Sequence, residues 1–188
     1  DGVLLPFNQN NFLIAVEKVI TNTFNSKLTS FAEAKLNDGQ RLLAFNDLFI
    51  GATSHVSARY QLTYNNRTEE HSSSGIIVST KAGSTGWLSS IFNMSFGINK
   101  FIEKNNLNKK YAKLNDNQLM FAVREPFASK RTQVETTAGI ITSNSKLIVQ
   151  SFMPNNGLIF SDGIESDFLK FNSGAIATIG IAGEKANL

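Results

Sequence analysis

Residues 73–87 read Ser73-Ser-Gly-Ile-Ile-Val-Ser-Thr-Lys-Ala-Gly-Ser-Thr-Gly-Trp87. The segment begins as a strand, because Ile76, Ile77 and Val78 form a short β-branched run after Gly75. It then turns through Ser79, Thr80, Lys81, Ala82, Gly83, Ser84, Thr85 and Gly86, small or polar residues apart from Lys81. An apolar, helix-compatible segment starts at Trp87. Such a turn between strand and helix lets backbone N–H groups and hydroxyls approach a ligand closely. On spacing alone, a ligand cradle and a plain Ser/Thr/Gly loop both stay open.

Working outward, residues 11–24 predict an amphipathic helix, with Phe12, Val16, Val19 and Ile20 at helical spacing. The period then changes. Phe31, Ala32, Ala34 and Leu36 lead into Asn37-Asp-Gly39, a hairpin signal, and residues 41–50 read as the returning strand. Residues 56–64 alternate, Asn65-Asn66-Arg67 turns, and Thr68 onward runs toward the 73–87 segment. A second helix is expected from Trp87 to about residue 104, buried through Leu88, Ile91, Phe92, Phe96 and, further on, Ile98, Phe101 and Ile102. Gly97 weakens it by about 1 kcal/mol relative to Ala and marks a candidate break. Residues 105–117, rich in Asn and Lys, read as an exposed connection.

Strands return at 119–123, ended by Arg124-Glu-Pro126, and at 136–142 and 146–152, which flank Ser143-Asn144-Ser145 as a hairpin. Residues 158–160, 167–171 and 175–181 complete the set. The expected fold class is mainly β (α+β), one many-stranded domain over residues 1–188 with two helical segments.

Composition narrows the function classes. At 188 residues the chain can bury one substantial core. A net charge of +3, dispersed, argues against nucleic acid as partner. The absence of cysteine excludes disulfides and thiolate metal sites, and His55 and His71 lack metal-ligand spacing, so no metal site is expected. No run approaches the length of a membrane span, and no membrane partner is expected. The chain starts at Asp1 rather than Met, which suggests a piece of a longer protein.

The 73–87 segment resembles the Gly-x-x-x-Ser-Thr-x-x-Gly-Ser-Thr-Ala-Tyr signature of the NAD kinase family, part of the family's NAD site. Ala44-Phe-Asn-Asp-Leu-Phe-Ile50 resembles its Ala-Leu-Asn-Glu motif, Phe160-Ser-Asp-Gly163 its late Asp-Gly turn, and Gly2-Val-Leu-Leu-Pro-Phe7 the entry to its second domain. The four occur in the family's order and span nearly the whole chain. The Ser73-Ser-Gly75 form, with Phe49-Ile-Gly51, Arg124-Glu-Pro126 and Ser173-Gly-Ala-Ile-Ala177, is similar to the mitochondrial-type branch. The resemblance implies the many-stranded C-terminal domain, preceded by an α/β domain that carries a Gly-Gly-Asp-Gly motif. No Gly-Gly-Asp-Gly occurs in this chain, and Asp38-Gly39 and Asp162-Gly163 read as turns.

Several residues inherit expectations from the resemblance. Asn46 and Asp47 are expected to contact the adenine and ribose of NAD; Asp47 stands where the family has Glu, one methylene shorter. Without a ligand, the same pair in an apolar strand would have to bond neighbouring backbone. Thr80, Gly83, Ser84, Thr85 and Gly86 are expected to hold the adenine end and a phosphate. Trp87, where the family has Tyr, offers either a plane for a base or a core anchor. Ser74-Gly75 replaces the common Asp-Gly, so the nicotinamide-ribose region loses a carboxylate, and Lys81 replaces Pro and adds a charge that can meet a phosphate. Asp162 reads as a turn residue or a site-lining one, and Arg59 and Arg124 as phosphate partners or surface arginines.

The implied activity of the full-length protein is phosphorylation of the 2′-hydroxyl of NAD to NADP, with ATP and Mg²⁺. The general-base Asp would lie in the preceding domain, so no catalytic residue is expected here and the isolated chain is expected to be inactive. The family implies a homodimer or homotetramer, in the cytoplasm or the mitochondrial matrix. Two alternatives remain: a non-catalytic nucleotide sensor, and a kinase of a related sugar or lipid hydroxyl.

Overall fold

The computed structural model describes residues 7–103 and 111–188. Apart from Phe7, the motif at 2–7 lies outside the described residues, as does the 105–110 part of the Asn/Lys-rich connection. Among the described residues the strands form two six-stranded antiparallel sheets. Sheet one runs β2 (Arg41–Ala44), β1 (Leu28–Leu36), β12 (Ile176–Asn187), β9 (Leu147–Ser151), β4 (Ala58–Tyr64), β5 (Arg67–Ser73). Sheet two runs β11 (Ile164–Lys170), β10 (Gly157–Ser161), β3 (Asp47–Ala52), β6 (Ile76–Ser79), β7 (Leu119–Val123), β8 (Ala138–Ile141).

Their inner faces share one core. Strand alternation supplies it: Ala32, Ala34 and Leu36 of β1, Tyr60 and Leu62 of β4, Leu48 and Ile50 of β3, and Phe121 of β7 all point inward. The mainly β architecture expected from the sequence is the one observed. The Asn65-Asn66 turn is also as read: both residues are left-handed, φ 49° and 64°, which joins β4 to β5 with the twist a two-residue hairpin requires.

Helix α2 (Trp87–Glu103) lies on the outer face of sheet two. Leu88, with Ile91 and Phe92, packs against Leu114, Met120, Ala122 and Ile140, covering β7 and β8. With the core on one side and α2 on the other, all of β6 is buried, which explains its unbroken apolar run. The outer face of β3, β10 and β11 lacks such a cover, and there Phe49, Phe160 and Phe168 are register partners across the three strands.

Four expectations change. Residues 41–50 form two strands in different sheets, because the chain crosses between layers at Phe45-Asn46. Residues 136–142 and 146–152 form no hairpin ladder: β8 pairs with β7, β9 pairs with β12 and β4, and a single bridge, Thr142 to Ser145, spans the turn. Here too the turn hands the chain from one sheet to the other. Helix α2 runs unbroken through Gly97, whose Cβ position is open space, and Ile98, Phe101 and Ile102 beyond it are exposed. Helix α1 (Phe12–Ile20) forms but ends short of Phe24, and none of its residues is buried; Phe12, Val16, Val19 and Ile20 are exposed.

Candidate functional site

The crossing from β2 to β3 leaves three consecutive backbone donors without a ladder. All three converge on Asp162: Phe45 N donates to Oδ2 at 2.9 Å, and Asn46 N and Asp47 N donate to Oδ1 at 2.6 and 3.1 Å. Asp162 can reach them because Asp162 and Gly163 are both left-handed, φ 52° and 74°, turning β10 into β11 beside the crossing. Asp162 N in turn donates to Asp47 O at 2.9 Å. Asp162 is therefore the buttress of the crossing, with its carboxylate filled by protein donors.

The other side of the crossing is held by the turn after β6. Thr80 N donates to Asn46 O at 2.9 Å, and Thr80 Oγ1 donates to Phe45 O at 2.6 Å and accepts Gly83 N at 3.2 Å. Gly83 is needed for a steric reason. A Cβ there would lie 2.3 Å from Asn46 O, so the close approach this glycine permits is to the protein's own backbone. Ser84 Oγ donates to Lys81 O at 2.8 Å, and Gly86 N donates to Gly83 O at 2.8 Å, closing the 3-10 turn Gly83–Thr85 before α2. Lys81 Nζ pairs with Asp116 at 3.1 Å, an oxygen that Lys27 shares at 3.4 Å.

What this framework leaves free is specific. Asn46 presents a half-buried amide, and Thr85 an exposed hydroxyl, neither bonded to another of the described residues. Asp47 holds a buried carboxylate oxygen, Oδ1, with no hydrogen-bond partner. Burial, together with the nearby Asp162, pushes the Asp47 carboxyl up to about 6, although the Ser79 hydroxyl pulls the other way. A buried acceptor without a donor costs free energy, about 1–3 kcal/mol, so a ligand hydroxyl that supplied the missing proton would recover it.

Asp47 and Phe49 are two apart on β3 and share its outer face, about 7 Å apart by strand rise. From Phe49 the surface becomes aromatic. The Trp87 ring stacks on Phe49 at 5.7 Å between centroids, with planes 6° apart, and Phe160 lies 5.0 Å from Phe49 and 6.5 Å from Trp87, so the three rings form a triangle. The Arg124 guanidinium sits 5.3 Å from the Trp87 ring centre. These residues, with Ser74, Phe168 and a Ser/Thr/His loop at 53–57, line a cleft of about 680 Å³. Gly75 shapes its edge: φ is +104°, and a Cβ would lie 2.7 Å from both Ile50 O and the Phe49 ring. Ser74 N and Gly75 O are both bonded to Arg124 backbone, at 2.9 and 2.8 Å.

The expected residues thus fall into two groups joined by β3 and β6. Asn46, Asp47, Thr80, Gly83 and Asp162 meet at one end; Ser74, Gly75 and Trp87 meet at the other; Ser84, Thr85 and Gly86 form the bridge. The sequence reading missed Phe49, Phe160 and Phe168 as cleft residues, and the 53–57 loop with His55. The parity of Asp47 and Phe49 on one strand was the available signal.

No family model matches the sequence, and no curated protein does. Among solved structures, yeast NADH kinase complexed with NADH is similar over 96% of this chain, with a TM-score of 0.69 at 14% identity. The fold is NAD kinase-like. The chain spans 48% of the length of that enzyme, and at this identity the likeness carries the fold alone. No helix among the described residues is long and apolar enough to cross a membrane.

Proposed function

We propose that this chain is the NAD(H)-binding half of an NAD kinase-like phosphotransferase. The observation that carries the reading is the unpartnered, buried Asp47 Oδ1 beside the free Asn46 amide, within the Ala44–Ile50 segment that resembles the family's Ala-Leu-Asn-Glu motif. A carboxylate accepts from a ribose hydroxyl, and an amide both donates and accepts, so the pair suits a nucleoside. Thr85 and the backbone of the 83–86 turn stand next to it for the adenine end and a phosphate. Trp87 and Ser74 bound the aromatic cleft, which suits a second flat ring. A NADH-bound enzyme of the same fold supports the ligand class.

The full-length protein would then transfer the γ-phosphoryl group of ATP to the 2′-hydroxyl of NAD, with a preceding α/β domain supplying the Gly-Gly-Asp-Gly motif and the base. Among the described residues no cluster of three or more His, Cys, Asp or Glu side chains fits a metal ion, so Mg²⁺ would be held by nucleotide phosphates and that domain, and no step is assigned to it here. Membership of the mitochondrial-type branch, a cytoplasmic or matrix location and assembly as a dimer or tetramer belong to the same proposal. The second reading, a nucleotide sensor without kinase activity, shares the Asn46–Asp47 site and differs only in the preceding domain; a sugar or lipid hydroxyl as acceptor would dispense with Asn46.

Calorimetric titration of NAD and NADH into the chain, beside an Asn46→Ala, Asp47→Ala variant, tests it. Binding that weakens at least tenfold in the folded variant is expected. Equal binding by both proteins would remove the adenosine site from this crossing.

A further inference from the structure

Residues 124–137 do more than connect β7 to β8. They run beside β5, the edge strand of sheet one, and replace the neighbour that edge lacks: Phe127 N donates to Ser72 O at 2.9 Å, Gln133 N donates to Glu70 O at 3.0 Å, and Glu70 N donates to Gln133 Oε1 at 2.9 Å. The far end is fastened by one buried side chain. Glu69 Oε2 accepts the Glu135 and Thr136 amides at 3.2 and 3.1 Å, and Oε1 accepts the Thr136 hydroxyl at 2.6 Å and Arg67 Nε at 2.6 Å. The near end begins at Arg124, against Trp87 in the cleft. Between them Glu125 holds φ +42°, a left-handed conformation that an L-residue adopts at a cost and keeps only while its surroundings hold it.

A titratable ring sits beside the fastening. His71 is buried, stacked on Tyr60 with centroids 5.6 Å apart, and neither ring nitrogen has a hydrogen-bond partner. Nε2 lies 3.4 Å from Glu69 Oε2, the oxygen that already accepts two amides. A second proton on the ring would make Nε2 a charged donor competing for that oxygen. The other charged groups facing this spot are Arg67 and, 3.9 Å from it, Glu135; Tyr60 is engaged with Ser73 Oγ at 2.8 Å.

We propose that residues 124–137 are a spring-loaded strap: Glu69 latches its far end, left-handed Glu125 is its hinge, and acid releases it, so that the Glu125 carboxylate, 3.6 Å from Arg124 Nη2, draws the guanidinium off Trp87 while the Arg124 backbone stays on Ser74 and Gly75. Glu69 is then a positioning residue for the cleft, acting through Arg124. The proposal concerns the cleft wall and stands whether or not the ligand is NAD. The sign of the acid effect follows from His71: burial outweighs the pull of Glu69 and holds the ring below its ordinary 6.5, so the released strap binds the proton better and the latch weakens as pH falls below 6.5. Glu69 adds a second loss further down. Burial raises its carboxyl, but the Thr136 and Arg67 contacts outweigh that and leave it below 4.5, so its share disappears as pH falls from 4.5 through that lower value.

Trp87, the only tryptophan, reports on Arg124 directly. In the full chain, Arg124→Ala defines the emission of Trp87 without its cation. Glu69→Gln should move Trp87 emission and quenching to that level and strip protection from the Thr136 amide, while Ile77 and Val78 amides in β6 stay protected. Adding Glu125→Gly removes both the left-handed strain and the carboxylate that draws on Arg124, and should return the emission toward wild type. Thr136→Val repeats the measurement if Glu69→Gln does not fold. In the wild type, protection at Thr136 should fall about tenfold per pH unit below 6.5, as one linked proton requires, and His71→Phe should shift that fall below pH 4.5. An unmoved Trp87 signal in both latch variants, no recovery with Glu125→Gly, or an identical pH profile in His71→Phe would each overturn the device.

Discussion

The two ends of β6 are built on opposite principles. At its C-terminal end, the crossing is a polar lattice in which every backbone donor of Phe45, Asn46 and Asp47 is matched, and only Asn46, Asp47 and Thr85 keep capacity to spare. At its N-terminal end, the cleft is a pile of rings held by contact and by one guanidinium. Hydrogen bonds are directional and fail when one partner moves, whereas stacked rings tolerate displacement. The crossing should therefore govern folding and hydroxyl recognition, and the cleft should tune affinity without deciding whether the chain folds.

The largest expected effect is on the crossing. Gly83→Ala drives a methyl against Asn46 O and should cost about 3 kcal/mol or more, a fall of roughly 6–12 °C in Tm by thermal scan for a domain of this size. Asp162→Asn comes next. One amide oxygen cannot serve three donors, and the NH₂ group would face an N–H, so urea denaturation should show a loss of about 2–3 kcal/mol. A small loss in either variant would erase the contrast between the two ends.

Asp47 separates stability from recognition. Its carboxyl is raised to about 6 in the fold against 3.8 ordinarily, so its contribution is fully present below pH 3.8 and is lost as pH rises through about 6. Asp47→Asn should flatten that segment of the stability profile while weakening NAD binding. In the wild type, binding that depends on the ionised carboxylate should be about tenfold weaker at pH 5 than at pH 7, measured by calorimetry. Trp87→Leu should lower affinity by about tenfold, through lost stacking worth ~1–3 kcal/mol, with Tm little changed. Thr85→Ala should leave stability within about 0.5 kcal/mol, because its exposed hydroxyl bonds none of the described residues.

Local signals in the sequence were read well where one principle dominated. Leu119–Val123 is the strand its apolar run predicted, and the turn expected at Asn65-Asn66-Arg67 forms with Asn65 and Asn66 left-handed. The failures share one physical cause. At Phe45-Asn46 and at residues 143–145 the chain passes between layers, and neither propensity nor alternation records which sheet a strand joins. The same blindness affected the site. Asn46 and Asp47 looked like polar residues stranded in one long strand, whereas the break between two strands supplies the room for them. Gly83 was read as an approach for a ligand because sequence cannot tell a ligand's atoms from those of Asn46. Helix α1 shows a converse limit: apolar residues at helical spacing predicted a helix, but not what that helix faces.

The position of β12 bears on how the chain comes to fold at all. Residues 176–187 insert between β1 and β9, so Leu28 meets Asn187 and Ile176 meets Gln150. Until that strand arrives, sheet one is two separate fragments, β2–β1 and β9–β4–β5, each offering an unpaired edge. Loop closure over some 160 residues must precede the contacts that reward it, which places this fold among the slow ones. On a ribosome the β1 edge would stay unpaired on that side until residues 176–187 had emerged, an interval in which mispairing and aggregation compete with folding.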